Sequence, residues 1–428
     1  EEIKVPPVHR HTWDEIRSDL LLLNRVCTAV RRGRFSGGAL KIDKQKMVFH
    51  TRESDDGVPT GYHIEDHSPS HWLIEELMLL ANRCVAKHLA DSSLHEVAVL
   101  RRHDSPDSEK SKALGNVMKN NLGLGWWDAS NAGSLYKSCQ RVRKEYGETV
   151  GFCVDMMIMR AGMKQAEYVV YDPEDSIHHY ALNFSHYTHF TSPIRRYPDV
   201  MVHRVLGALL EDDTSSETQE EAEHSVVQCA EGDDTSYHAR DTAENQVILC
   251  NTKKKDSRNC QQQLDVAVFC VYLRHRKEWF YTIGSARCFA EVSKGVAVMM
   301  YCSTLGRDKK VLLGESRTNL NLYANGVDDV LHLPHDWKLE GKGRVSLVWK
   351  NPETGETIVQ DINIMGSTPV VIIPTDTIPI SFEIFFVSPF HPRYAALNDE
   401  LSPAERQGFK WTDTDDSDVF VMFSATAT

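Results

Sequence analysis

Near Asp265 the texture of this 428-residue chain changes, and the change constrains the fold more than any other feature. Before it, apolar residues recur at helical spacing. Ile16, Leu20, Leu23 and Val26-Cys27 follow a capping box at Thr12-Trp13-Asp14-Glu15. Leu73, Leu77, Leu80 and Cys84 mark the expected core stripe of a helix over about residues 70–90. Further helices are expected near 108–119, 134–146, 151–167 and 235–264, and strand-like stretches at 39–42 and 47–49. After it come short β-rich runs divided by turns, at 266–269, 279–283, 296–301, 345–349 and 370–373. Such a series predicts a small β-barrel. The chain therefore reads as α+β: a helix-rich part over 1–262, a barrel over 263–390 and an acidic C-terminal tail over 391–428.

Within the helical part, one run carries chemistry: Tyr187-Thr188-His189-Phe190-Thr191-Ser192-Pro193-Ile194-Arg195-Arg196-Tyr197-Pro198-Asp199. Arg195 and Arg196 stand behind a Ser-Pro helix-start signal. A guanidinium is always charged, and its planar fork of donors matches phosphate oxygens. The hydroxyls of Thr191 and Ser192 and free N–H groups at a helix start add phosphate donors. Pro198 cannot sit deep in a helix, so 192–196 predicts one short turn. The longer helix then starts near Pro198, with Met201, Val205 and Leu209 buried and His203 and Arg204 following Asp199. The run reads as a phosphate clamp. The plainer alternative is that the arginines neutralise Asp199 and a neighbouring carboxylate.

The formal net charge of −13 argues weakly against a polyanionic partner, because such enzymes confine positive charge to a channel. Much of the negative charge lies in Glu211-Asp212-Asp213 through Glu217-Glu220-Glu221 and in Asp413-Asp415-Asp416. No apolar run approaches the length of a membrane span, so no membrane partner is expected. The ten cysteines form no C-x-x-C pair, which predicts buried thiols in a reducing compartment. His63, His67 and His71, with Glu65 and Asp66, imitate a metal-ligand cluster but fall in a loop entering a helix. No residue is assigned as a metal ligand. Lys253-Lys254-Lys255 fits a solvated helix end or an RNA contact; Trp279-Phe280-Tyr281 could stack on bases or fill the barrel. Because the first residue is Glu1, a processed chain or a fragment is expected.

The run at 188–197, with Asp199, His203 and Arg204, closely resembles the signature of the RNase II/RNB exoribonucleases. Ile74-Glu75-Glu76-Leu77-Met78-Leu79-Leu80-Ala81-Asn82 looks like the same family's Glu-Glu…Ala-Asn helix, and Gly38-Ala39-Leu40 adds a third element upstream. His179-Tyr180-Ala181-Leu182-Asn183 and Leu100-Arg101-Arg102-His103 are most like the eukaryotic Dis-three-like branch, its exosome-independent enzyme above all. The resemblance implies the C-terminal part of an RNB catalytic domain followed by an OB-fold RNA-binding barrel. It implies a processive, Mg²⁺-dependent hydrolase on single-stranded RNA, cytoplasmic, which releases nucleoside 5′-monophosphates from the 3′ end.

Carried over residue by residue, Arg195 matches the arginine that grips the scissile phosphate, and Glu75 the acidic residue that helps fix the terminal nucleotide. Glu76, Asn82, Thr191, Ser192, Arg196, Asp199, His203 and Arg204 would bind substrate or shape the clamp. The departures are equally specific. The family's closely spaced aspartates are not reproduced, since Asp55-Asp56 falls in a turn beside Gly57, and its cold-shock-like domains are not expected within the sequence given. Ile42 stands near where bacterial relatives place a stacking aromatic. The expected Mg²⁺ ligands are therefore outside this sequence, and an N-terminal fragment of the same enzyme is the expected partner. The rival expectation is a catalytically inactive RNA-binding or scaffold protein built on the same fold.

Overall fold

The capping box at Thr12 forms as the sequence predicts. Glu15 N–H donates to Thr12 Oγ1 at 3.2 Å and Thr12 N–H donates to Glu15 Oε2 at 2.8 Å, at the start of helix α1 (Trp13–Ser36). The computed structural model describes residues 11–42, 45–51, 57–66, 68–212, 239–276, 278–292, 295–314 and 333–412. The helices that follow α1 are α2 (Pro69–Ala90), α3 (Ser108–Asn116), α4 (Ala132–Tyr146), α5 (Glu148–Arg160), α6 (Tyr197–Asp212), α7 (Ala239–His275), α8 (Pro392–Asp399) and α9 (Pro403–Gln407). The strands are β1 (Met47–Thr51), β2 (Pro59–Ile64), β3 (Val99–Arg102), β4 (Glu167–Val170), β5 (Phe280–Val292), β6 (Gly295–Cys302), β7 (Arg307–Gly314), β8 (Asp336–Glu340), β9 (Arg344–Lys350), β10 (Thr357–Asn363), β11 (Ser367–Pro374) and β12 (Phe382–Phe386). Asp55, Asp56, His67, Asp213 through Glu221 and the Asp413–416 run lie outside the described residues. No described helix is long and apolar enough to cross a membrane.

The chain divides into two units, one built from Glu1–Lys41, Asp66–Ser105 and Lys164–Ser257, the other from Ile42–Glu65, Pro106–Met163 and Arg258–Thr428. In the first, β3 and β4 pair antiparallel, with Arg101 opposite Tyr168. Leu89, Val97, Val99, Met201, Val202, Val205, Ala243 and Val247 form its main core, so the α6 stripe read from the sequence is buried. The α2 stripe is not the expected one. Leu80 is 47% exposed and Cys84 is exposed, while the buried line runs Leu73, Glu76, Leu79, Asn82, Ala86 and Leu89. Two polar side chains occupy core positions because each meets partners there, which hydrophobic periodicity does not weigh.

The second unit holds the barrel, a five-stranded antiparallel sheet in the order β12-β11-β5-β6-β7. Its two edges come together at Lys309 of β7, whose ammonium reaches Ser381 Oγ at 3.2 Å and Glu383 at 3.4 Å and lies 5.3 Å from the Phe382 ring. The result is a nearly closed, OB-like barrel. β11 is buried at every position because both of its faces are covered. Trp279 and Tyr281 pack on its cluster of Val371, Ile373, Phe385 and Val387, while Phe280 packs edge-on to Phe269, which in turn meets Phe382 edge-on. The aromatic run thus fills the unit on both faces. Residues 266–269 are helical rather than a strand: α7 continues through them, with Phe269, Cys270, Tyr272 and Leu273 buried at helical spacing. Packing overrides their β propensity. Similarly, the helix expected to reach 167 ends at Arg160, before Gly162 turns the chain at φ +89°. Residues 39–42 form no strand; Leu40 N–H donates to the Ala181 carbonyl instead.

Candidate active site

The clamp is held from beneath by two buried polar side chains. Asn82 on α2 is fully buried; its Oδ1 accepts from Phe190 N–H at 2.9 Å and Thr191 N–H at 3.3 Å, and its Nδ2 donates to the Tyr187 hydroxyl at 3.1 Å. Asp199, also fully buried, accepts Ser192 N–H at 2.8 Å and takes the Arg196 fork through Nε at 2.8 Å and Nη2 at 2.6 Å. The N–H groups of Arg195 and Arg196 donate to the Ser192 carbonyl, closing the short turn predicted at 192–196. The His203 Nε2–H donates to the Phe190 carbonyl at 2.8 Å, and its ring stacks on Phe190 at 4.3 Å. Arg204 donates to the Tyr197 hydroxyl at 3.3 Å.

The two arginines of the motif therefore differ. Arg196 is committed to Asp199, whereas the Arg195 side chain is exposed and has no hydrogen-bond or ion-pair partner among the described residues. Of the two roles expected of Asn82 and Asp199, binding substrate or shaping the clamp, their enclosed polar atoms, bonded to the loop itself, fit the second. His203 likewise anchors the loop backbone. Thr191 is exposed and Ser192 half-buried beside Arg195, on the turn these contacts hold.

Glu75 and Glu76 form a second cluster. Arg31 Nη1 reaches Glu75 at 3.0 Å and Glu76 at 3.1 Å; Arg34 Nη2 reaches them at 3.1 and 2.5 Å. Glu76 is 2% exposed and Glu75 39%, so Glu75 is the more accessible of the two, although each of its oxygens meets a guanidinium. Arg31 and Arg34 stand near the C-terminal end of α1. Their i,i+3 spacing, which puts both on one helix face, is the signal that would have paired them with the glutamates. The cluster does not fit Mg²⁺: two carboxylates are already neutralised by two guanidiniums, and a cation would meet both positive charges. No group of three His, Cys, Asp or Glu suited to a metal occurs among the described residues. Beside Glu76 a cavity of about 310 Å³ opens, lined by Arg34, Leu79, Arg83, Asn183 and Phe184. Its size falls in the small-ligand range.

Arg101 was quoted in the sequence without a role. Its guanidinium lies 5.0 Å over the Tyr168 ring with Nη1 buried and unbonded, and burial pushes its pKa down. Tyr168 OH shares a 2.7 Å hydrogen bond with His189 Nδ1. Burial, then the charges of Arg101 and Arg196, pushes His189 down to about 2. Burial with the nearby His103 takes His179 to about 3. Both rings are neutral packing elements near neutral pH.

Residues 4–212 match the model of the RNB domain. Over 218 residues the chain is 39% identical to the DIS3-like exonuclease 2 of Xenopus tropicalis, covering 49% of this chain and 25% of that protein. It is 35% identical over 206 residues to the inactive exonuclease DIS3L2 of Arabidopsis thaliana, covering 46% of this chain and 19% of that one. The chain thus spans a quarter or less of the length of these relatives. Among solved structures, the RNase R of Mycoplasma genitalium in complex with ribose methylated single-stranded RNA superposes with a TM-score of 0.61 at 18% identity. That match covers 89% of this chain and 51% of RNase R, and at this identity it speaks for the fold.

Proposed function

We propose that this chain, which belongs to the RNB family through residues 4–212 and stands with the DIS3-like exonucleases, grips single-stranded RNA as part of a hydrolytic 3′→5′ exoribonuclease site. One observation carries the reading: a hydrogen-bonded turn presents an exposed guanidinium at Arg195, without a partner among the described residues, while its neighbour is neutralised from below. Arg195 would hold the scissile phosphate and stabilise the charge that develops on it. Glu75, kept in place by Arg31 and Arg34, is half-buried, and the remaining lone pairs of its carboxylate would accept from a terminal ribose hydroxyl, a group that distinguishes RNA at its 2′ position. Hydrolysis to nucleoside 5′-monophosphates would be metal-assisted, with ligands supplied from outside the described residues, on a companion segment of the same enzyme. No disulfide joins the described cysteines, and the proposed setting is cytoplasmic.

A second reading, RNA binding without catalysis, is favoured by the lack of a metal-donor set among the described residues and by a relative named as inactive. Incubation with 5′-labelled single-stranded RNA and Mg²⁺ separates the two. Stepwise shortening from the 3′ end supports the enzyme; binding without shortening supports the second reading; no binding removes both. Arg195→Ala should lower turnover more than affinity in an active preparation. In binding assays it should reduce the salt slope by about 1, the signature of one lost phosphate contact. An unchanged slope and rate would take Arg195 out of the site.

A further inference from the structure

Ile194 is 97% exposed, the most exposed large apolar side chain among the described residues of its unit. Its backbone is not free to tuck the side chain away. Asp199 holds Ser192 N–H, Asn82 holds Phe190 and Thr191 N–H, and the Ser192 carbonyl accepts from Arg195 and Arg196. The next residue, Arg195, is exposed and without a partner among the described residues. Between residues 187 and 204 the sole carboxylate is Asp199, which is buried. The tip therefore offers, on consecutive residues, a branched apolar group and a cation without a partner among the described residues, in a stretch of sequence whose one carboxylate is buried. Single-stranded RNA repeats that alternation, a phosphate beside the apolar faces of ribose and base.

We propose that Ile194 contacts RNA, its side chain packing against the ribose or base face of the nucleotide whose phosphate Arg195 holds. This rests on the clamp being an RNA site. Aliphatic side chains serve as such apolar contacts to nucleic-acid bases elsewhere. The contact is sequence-tolerant, because every nucleotide presents an apolar face.

The test uses the full chain and a 5′-fluorescein single-stranded RNA, with affinity read by anisotropy across a salt series. Ile194→Ala and Ile194→Ser should each weaken binding about tenfold, the scale of burying most of an isoleucine. The salt slope and the thermal midpoint should stay at wild-type values, since no phosphate contact and no packed side chain is lost. Ile194→Phe should restore most of the affinity. Wild-type affinity in Ile194→Ala overturns the proposal, and so does a lowered thermal midpoint, which would mean that Ile194 packs on protein. If Arg195→Ala lowers the slope while Ile194→Ala changes nothing, the clamp reading stands and this inference alone falls. If the wild-type chain binds no RNA, both fall.

Discussion

Arg31–Arg34 and Arg195–Arg196 are two pairs of arginines in one unit, put to opposite uses. On α1 both guanidiniums bind carboxylates, and with Glu75 and Glu76 the four charges cancel. In the clamp the charges are divided: Arg196 closes on the buried Asp199, and Arg195 has no partner among the described residues. A compensated arginine builds the site and an uncompensated one can recruit an anion. A motif with two adjacent arginines therefore carries one ligand-facing charge rather than two.

Asp199→Asn should strain this division most. It removes the charge that compensates Arg196 and one acceptor of the fork, at a position with no exposure. Breaking a buried ion pair from one side costs about 3 kcal/mol or more, to be read from chemical denaturation. A loss below about 1 kcal/mol would mean that the Arg196–Asp199 pair does not hold the turn, and the contrast between the two arginines would dissolve.

The glutamate cluster offers a smaller effect. Glu76→Gln leaves two guanidiniums short of a buried acceptor and should cost about 2 kcal/mol. Glu75→Gln, at 39% exposure, should cost less than about 1 kcal/mol. Equal losses would mean that burial does not rank these carboxylates. If Glu75→Gln also leaves discrimination between RNA and DNA 3′ ends unchanged, its proposed ribose contact is wrong.

Much of this was legible in the sequence. The capping box at Thr12, the α6 stripe, the turn at 192–196 and most of the barrel strands follow from local rules, because turn chemistry and β-rich runs separated by breakers are local signals. The RNB resemblance singles out Arg195 and Glu75 as candidates, and the proposed function takes them up as such. What did not show was which polar groups point inward. Glu76 and Asn82 occupy core positions because Arg31, Arg34 and the Phe190–Thr191 backbone meet them across the fold, over separations of 42 to 109 residues. Residues 266–269 read as a strand because a β-branched apolar run is ambiguous until its packing partners are known.

His189 lies among these charges, near Arg101, which has no carboxylate partner among the described residues, and Arg196, which has Asp199. His189 and His179 are held down to about 2 and about 3, against an ordinary value of 6.5. As pH falls below about 6.5 the unfolded chain takes up these two protons while the folded rings do not. Stability present above that pH is therefore lost progressively on acidification toward pH 3. Replacing His189 with Asn, which can still accept from the Tyr168 hydroxyl, should flatten the fall by about 1.4 kcal/mol per pH unit. Denaturation midpoints between pH 7 and 4 would show it. Arg101→Met should raise the His189 titration seen by NMR, because an uncompensated neighbouring charge is removed. An unmoved titration would leave burial alone as the cause and make the difference between Arg101 and Arg196 irrelevant to the ring.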